Sequence, residues 1–314
     1  MSATIAPPSA AISDFEELRH SAQAFGPKRL GVIAADDDVA LMAAAGAAEL
    51  RLAFPVLIGD ETKIRLKIRE LGLMPQLQGA IYLAAANAVE AATTAARMAS
   101  DGVLDLLLKG HLRTDELLRS VLDKGAGLRT GRLLSDVMLY EDRLSGFKRL
   151  VGVTDGGLNV APNLEQKKQI LLNALDVMHA LGIERPKMAI MSASEAVTAA
   201  MPSTIDALTL TEMGKLDAFG NAEVYGPLAL DNALLESAAK AKGITSPVAG
   251  HADCMVVPNI ESGNLLGKAV KYLGGSQCAH VVLGAKVPVL IPSRVESVDD
   301  KINSVALGVL VHGR

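Results

Sequence analysis

The segment from residue 287 to residue 300 brings together side chains that could carry acyl or phosphoryl chemistry. Ser293 and Arg294 follow a predicted strand over 287–291, and Asp300 lies in the first turn of a predicted helix. A hydroxyl can hydrogen-bond a thiol, a guanidinium can bind phosphate or a developing oxyanion, and a carboxylate can accept a proton. Asp300 also has a structural interpretation, because Ser297 and Asp300 have the spacing of a capping box, and spacing alone favours that interpretation.

A basic segment, residues 109–132, provides a second candidate site. It leaves a predicted strand at Lys109 and enters a helix, with Arg119 five residues after Thr114. Ligands of open α/β sheets bind beyond the carboxyl ends of strands, and a helix N-terminus near arginine is a good anion site. Arg119 is therefore a candidate anion ligand, and a solvated surface charge is the alternative.

Several common catalytic signatures are missing from the sequence. Residues 152–157 are rich in glycine but lack the spacing and the following helix of a dinucleotide fingerprint, and there is no phosphate-binding loop. A GxSxG elbow, an HExxH helix and a CxxC cluster are also missing, so neither a serine nucleophile nor a catalytic metal is indicated. His251 and His280 are expected to be structural.

Composition narrows the class of protein further. The 314 residues suffice for about two domains. A net charge of −4, with five Phe, four Tyr and no Trp, argues against binding to nucleic acid duplexes or stacking on bases. Two cysteines, Cys254 and Cys278, are too few for a disulfide framework. Neither a membrane-spanning run nor a targeting segment is readable, so a soluble cytoplasmic protein is expected.

Short aliphatic runs alternate with longer helical patterns, which predicts an α/β fold with parallel sheets covered by helices. The predicted strands are 29–34, 55–59, 103–109, 134–140, 149–154, 187–192, 254–257, 280–283 and 287–291. The predicted helices are 38–52, 84–100, 114–123, 163–181, 228–242, 262–272 and a last helix opened by Ser297, with Thr114 and Asn163 as further N-caps. A polar stretch at 141–148 suggests a domain boundary, and the segment from Gly284 is too short for a domain and must complete another one.

Five motifs, in this order, resemble those of the phosphate acetyl/butyryl transferases, and the resemblance runs from about Ala85 to Leu310. The motifs are KGHLRTDELLR (109–119) with LRTGRLLS (128–135), VYGPLALDNA (224–233), SPVAGHAD (246–253), VPNIESGN (257–264) with Lys268, and the stretch from Pro288 through Ser293 and Arg294 to Asp300. The resemblance implies reversible transfer of a short acyl group between coenzyme A and inorganic phosphate, forming acyl phosphate. It implies no metal or other cofactor, since coenzyme A and phosphate are substrates, and a homodimer.

The resemblance also implies a fold like that of isocitrate and isopropylmalate dehydrogenases, with two α/β/α domains around a cleft. The first domain is expected over 1–147 and 284–314, and the second over 148–283. This arrangement would explain why the last segment is too small to stand alone.

Residue roles follow from the same resemblance. Asp300 would take the proton from the coenzyme A thiol, Arg294 would polarise the acyl carbonyl and help to hold phosphate, and Ser293 would hydrogen-bond near the thiol. Arg119 would contribute to anion binding, and Gly263 and Asn264 form the family's Gly-Asn motif for binding phosphate or coenzyme A. At position 262 this chain has serine where some acetyl-transferring relatives have cysteine, which excludes a thiol there.

Some alternatives stay open at the level of sequence. Acetyl is favoured only narrowly over butyryl, because two methylenes change discrimination by roughly 1–3 kcal/mol each and no motif reports on them. A metal-assisted NAD(P)-dependent hydroxy-acid dehydrogenase of the same fold is one rival function. A non-catalytic module that binds coenzyme A or acyl phosphate is another.

Overall fold

The computed structural model describes residues 11–293 and 296–314. The chain divides into two compact units. We call the described residues 11–15 together with Leu133–Cys278 the central unit, and Glu16–Arg132 together with the described residues of 279–314 the terminal unit. Both units combine helices with a largely parallel sheet, which confirms the predicted α/β class. In the described part of the chain, every helix is too short or too polar to cross a membrane.

The helices and strands are numbered along the chain. The helices are α1 (Phe15–Gln23), α2 (Asp38–Glu49), α3 (Glu61–Glu70), α4 (Ala88–Ser100), α5 (Thr114–Leu122), α6 (Leu164–Ala180), α7 (Pro202–Lys215), α8 (Leu230–Leu234), α9 (Glu236–Ala241), α10 (Ile260–Lys268), which continues as a π-helical turn (Ala269–Leu273), and α11 (Val298–Gly313). The strands are β1 (Lys28–Ile33), β2 (Ala53–Gly59), β3 (Ile81–Ala84), β4 (Leu106–Lys109), β5 (Ser135–Glu141), β6 (Leu150–Thr154), β7 (Lys187–Met191), β8 (Glu223–Leu228), β9 (Cys254–Val256), β10 (Cys278–Leu283) and β11 (Val289–Leu290).

The strands of the terminal unit have the order β3-β2-β1-β4-β11-β10. All neighbours are parallel except β10 and β11, which are antiparallel. Because β4 and β11 run in the same direction, the end of β4 at Lys109 and the segment after β11 that leads to Ser293 lie at the same edge of the sheet. This edge is where the sequence predicted a ligand.

The strands of the central unit have the order β5-β6-β9-β7-β8. The β5–β6 pair is antiparallel and the other three pairs are parallel. The carboxyl ends of β6, β9, β7 and β8 therefore share one edge, and the N-terminus of α10 follows β9 there. The core beneath it is built from Met, Val, Leu and Ala side chains, as the composition suggests.

The structure confirms some of the predicted helix caps and helix bounds and corrects others. Asn163 is the N-cap of α6 as predicted, and its side chain accepts a hydrogen bond from the Gln166 amide at 3.0 Å. The N-cap of α5 is Arg113 rather than Thr114, since the Glu116 carboxylate accepts the Arg113 amide hydrogen there. The predicted helix 228–242 is wrong as a single element, because the backbone is extended at Leu235 and separates α8 from α9.

The strand predicted at 287–291 is shorter than expected, since only Val289 and Leu290 pair as a strand. Pro288 has no amide hydrogen for the ladder, although its carbonyl accepts a hydrogen bond from Leu107. The sequence placed domain boundaries at 147/148 and 283/284, whereas the compact units change at 132/133 and 278/279. The first difference arises because β5 pairs with β6 in the central unit.

Candidate active site

Asp300 lies fully buried in the first turn of α11, where Ser297 is the N-cap. Ser297 donates two hydrogen bonds to Asp300 Oδ2, from its amide at 3.1 Å and from its hydroxyl at 2.6 Å. The Asp300 amide in turn donates to Ser297 Oγ at 3.2 Å. The predicted capping box is thus confirmed. Both hydrogen bonds that Ser297 donates are accepted by the same carboxylate oxygen, Oδ2.

The start of α11 is polar although it is buried. The carbonyl of Asp300 accepts the Ser304 hydroxyl at 2.9 Å, and Ser304 Oγ accepts the amide hydrogen of His280 on β10 at 2.9 Å. Lys301 is also buried, and burial lowers the pKa of its ammonium group, while the charges of Asp37 and Glu296 act in the opposite direction. Burial therefore favours the neutral form of this lysine.

Ser293 follows β11, three residues after Leu290. Its carbonyl accepts the Glu296 amide hydrogen at 3.2 Å, and the side chain is half-buried. Arg294, the predicted partner of Ser293, lies outside the described residues. The structure therefore places Ser293 and Asp300 on the two sides of one short connection in the terminal unit.

His280 and Glu296 form a contact that the sequence did not reveal. His280 Nε2 lies 3.5 Å from Glu296 Oε1. Cys278 is two residues before His280 on β10 and thus on the same face of that strand. Imidazole, carboxylate and thiolate are donor types that suit zinc, so these are the described side chains that could offer ligands to a metal ion. The pattern was invisible because the carboxylate follows 16 residues later in the chain.

Arg119 lies on the surface of α5, with 78% of its side chain exposed. Its guanidinium donates to Asp115 Oδ2 at 2.9 Å, and Arg113 donates to Asp115 Oδ1 at 3.0 Å. One carboxylate thus holds two guanidinium groups beside each other. Exposure and the ion pair match the surface-charge alternative, and the two adjacent guanidiniums are also a pair that could receive an anion.

Gly263 and Asn264 lie at the N-terminal end of α10, against the loop that follows β6. A Cβ atom on Gly263 would lie 2.7 Å from Gly156 Cα and 2.9 Å from the Asp155 carbonyl oxygen. Asn264 Nδ2 donates to the carbonyl of Gly156 at 3.2 Å. In this structure the Gly-Asn motif therefore fixes α10 to the β6 loop, so the motif has a packing role in addition to the predicted binding role.

Asp155 is a buried acid that the sequence analysis passed over. Its carboxylate accepts hydrogen bonds from the amides of Gly157 at 2.8 Å and Leu158 at 2.9 Å, and from the Asn159 side chain at 2.5 Å. Burial and the nearby charge of Asp136 nevertheless raise the pKa of Asp155. A Cβ atom on Gly157 would lie 2.9 Å from Asp136 Oδ2, so the Asp136 side chain packs directly against this residue. The available signal was an aspartate at the end of an aliphatic run, VGVTD.

Comparison with known proteins identifies the class of protein to which this chain belongs. The fold is that of a phosphotransacylase: a crystal structure of a branched-chain phosphotransacylase from Enterococcus faecalis V583 superposes with a TM-score of 0.79, at 28% identity, covering 91% of this chain and 99% of that one. A family model described as phosphate acetyl/butaryl (butyryl) transferase matches residues 74–309. The chain therefore belongs to the phosphate acetyl/butyryl transferase family and is an acyltransferase.

Two curated relatives carry the two activities that give the family its name. The chain is 38% identical to the phosphate acetyltransferase of Rickettsia prowazekii (strain Madrid E), over 97% of this chain and 86% of that protein. It is 37% identical to the phosphate butyryltransferase of Clostridium acetobutylicum, over 96% of this chain and 99% of that protein. The predicted resemblance is confirmed, and neither the dehydrogenase nor the non-catalytic module is favoured.

Proposed function

We propose that this acyltransferase moves a short acyl group reversibly between coenzyme A and inorganic phosphate, with Asp300 as the general base. In the direction of thioester synthesis, Asp300 takes the proton of the coenzyme A thiol and the sulfur attacks the carbonyl carbon of acyl phosphate. The bond between that carbon and the bridging phosphate oxygen then breaks, phosphate leaves, and the proton passes from Asp300 to phosphate or water. Positioning and charge stabilisation supply most of the rate.

The observation that carries this proposal is the hydrogen-bonding of the Asp300 carboxylate. Oδ2 receives both donor groups of Ser297, which fixes the orientation of the carboxyl group at the helix terminus. A carboxylate that is already fixed in orientation loses little conformational entropy when it accepts a proton from a substrate. The capping role of Asp300 is therefore compatible with a role as general base.

The other predicted roles complete the proposal. Ser293 hydrogen-bonds near the thiol, Arg294 polarises the carbonyl and holds phosphate, and Arg119 contributes to anion binding. Gly263 and Asn264 contribute to binding phosphate or coenzyme A. The enzyme needs no further cofactor in this scheme, and its favoured acyl group is acetyl by a narrow margin over butyryl.

The same proposal includes an isocitrate dehydrogenase-like arrangement of two domains, a homodimer and a cytoplasmic location. These rest on the resemblance to the family and on the low number of cysteines, two in the whole sequence, which suits a reducing compartment. Sedimentation of the purified protein measures the oligomeric state directly.

The test of the proposed mechanism is Asp300→Asn, with Asp299→Asn as the matched control. Asparagine keeps an acceptor oxygen for Ser297 but cannot take a proton at neutral pH, and a general base contributes roughly 10²–10⁴-fold to turnover. We expect kcat to fall by at least about 100-fold for Asp300→Asn, while far-ultraviolet circular dichroism stays that of the wild type. Asp299 is an exposed neighbour that pairs with Arg19, and its variant should keep near-normal kcat.

A kcat within a few-fold of wild type for a folded Asp300→Asn protein would refute the assignment of the base. The acyl group is tested separately by comparing acetyl-, propionyl- and butyryl-CoA with phosphate and following the free thiol. Transfer from none of them would refute the proposed reaction itself.

A further inference from the structure

Three side chains of the types that bind zinc lie together where β10 meets the segment before α11. They are Cys278 and His280 on β10 and Glu296, which directly precedes Ser297, the N-cap of α11. The cysteine sulfur, one imidazole nitrogen and one carboxylate oxygen all lie within 4.8 Å of one another. We call these three residues the β10 cluster.

The backbone sets where these side chains lie. Cys278 and His280 are two positions apart in one continuous strand and share a face of it, although the boundary between the two units falls directly after Cys278. His280 is also tied to α11, because its amide donates to Ser304 Oγ at 2.9 Å. Glu296 therefore meets a strand that is already bonded to the helix that follows it.

The distances suit a tetrahedral zinc ion. His280 Nε2 and Glu296 Oε1 lie 3.5 Å apart. Two such ligands, each at roughly 2.0–2.2 Å from zinc, are about 3.4 Å apart across a tetrahedral ion. A thiolate at roughly 2.3 Å from the ion lies about 3.6 Å from either of them. A bound ion would therefore draw the Cys278 sulfur inward by about 1 Å at most.

Burial and donor type also favour a bound zinc ion. Only 1% of Cys278 and 7% of Glu296 are exposed, and a buried carboxylate requires a compensating partner, which a divalent ion supplies in addition to His280. The His280 side chain is 18% exposed, so an ion can enter from its side and a water molecule can take the fourth position. Thiolate and imidazole favour zinc over magnesium and calcium, which prefer oxygen ligands.

We propose that the β10 cluster binds one zinc ion through three protein ligands and one water molecule. This site goes beyond the proposed function, since the ion takes no part in acyl transfer there. Cys278 releases its thiol proton to solvent when the ion binds, so that the thiolate is the ligand. The ion links β10 to the residue before the N-cap of α11 and thereby stabilises the start of that helix. Because structural zinc sites have four protein ligands, a site with three exchanges its ion with solution.

The test uses the full chain without a histidine tag, freed of metal by a chelator and then titrated with zinc or cobalt(II). The wild type should bind one equivalent of zinc, and cobalt(II) should give the charge-transfer absorption of a thiolate ligand. Cys278→Ser should abolish this absorption and weaken zinc binding at least about 100-fold, since loss of a direct ligand costs at least as much as loss of a residue that only orients one. Cys254→Ser makes the same change at the other buried cysteine and should alter neither measurement.

A second variant keeps the inference testable if Cys278→Ser fails to fold. His280→Gln changes the most exposed member of the β10 cluster and should weaken zinc binding to a similar extent, whereas His251→Gln should not. Saturating zinc should raise the melting temperature of the wild type by a few degrees and leave that of His280→Gln unchanged.

Three results would overturn the inference: no uptake of zinc by the wild type, cobalt(II) absorption without a thiolate contribution, or equal zinc affinity in the wild type and the cluster variants. Each would leave His280 and Glu296 as an ion pair beside a buried thiol.

Discussion

Replacing Gly263 by alanine tests how tightly α10 is held against the loop after β6. The backbone angles at Gly263 are accessible to any residue, so strain at that position does not enter. The added Cβ atom would lie 2.7 Å from Gly156 Cα, 2.8 Å from Val257 Cγ2 and 2.9 Å from the Asp155 carbonyl oxygen. Two of these three atoms are backbone atoms, so α10 or the loop must shift to make room.

The expected free energy follows from two opposing contributions. Alanine in place of glycine favours a helix by about 1 kcal/mol. Overpacking costs about 1–3 kcal/mol, and we take the upper end because backbone atoms cannot rotate away as a side chain can. Gly263→Ala should therefore destabilise the protein by about 2 kcal/mol, which lowers the melting temperature by about 4–8 °C for a unit of this size.

Gly267 on the same helix is the control. Its Cβ atom would meet the Met138 sulfur at 2.9 Å, which is the flexible part of a side chain. Gly267→Ala should then be close to neutral, because Met138 can move and the gain in helix propensity remains. Urea denaturation followed by circular dichroism is the suitable assay, since the chain has no tryptophan. If Gly263→Ala is as stable as Gly267→Ala, the close approach of the two backbones is not what fixes α10.

Two other substitutions probe charge and capping. Asp142 is buried, which alone would raise the pKa of its carboxyl group, but hydrogen bonds from Ser145, the Leu144 amide and Arg149 lower it. Its stabilising contribution is therefore present above the unfolded pKa of about 3.9 and is lost as the pH falls through the lower folded value. Asp142→Asn should lower the free energy of unfolding by about 3 kcal/mol at pH 7, because it leaves Arg149 without its counter-charge. This difference from the wild type should shrink below about pH 4. A difference that stays constant with pH in urea titrations would contradict the reasoning. Ser297→Ala removes the cap of α11 and should lower the free energy of unfolding by about 1 kcal/mol in the same assay, whereas no loss would mean that the cap contributes little.

Local signals were the most predictable part of the structure. The capping box of α11 was visible because a serine and an acid three residues apart interact within one turn, whatever surrounds them. Helix α7 was missed for the opposite reason. Its buried side includes Thr204 and Thr211, which look polar in sequence, and only the fold shows that the Thr211 hydroxyl is satisfied by the carbonyls of Ala207 and Gly226.

The proximity of Asp136 and Asp155 shows where sequence reasoning ends at the candidate site. The two acids are 19 positions apart, and nothing in their spacing brings them together. The antiparallel register of β5 and β6 does, because Val137 pairs with Thr154 and the two aspartates lie one position further along the same ladder. A register of this kind depends on how two distant strands pair, which single-sequence patterns do not determine.

The order of strands in the terminal unit also has a consequence for biosynthesis. Strand β4 lies between β1 and β11, and Leu107 pairs with Val289. All of Leu133–Cys278 is synthesised between these two residues, so one edge of β4 stays open while the central unit can already fold. An aliphatic strand with an unpaired edge is a template for pairing with another chain. During translation, this edge of β4 therefore stays unpaired until β11 has emerged and closed it.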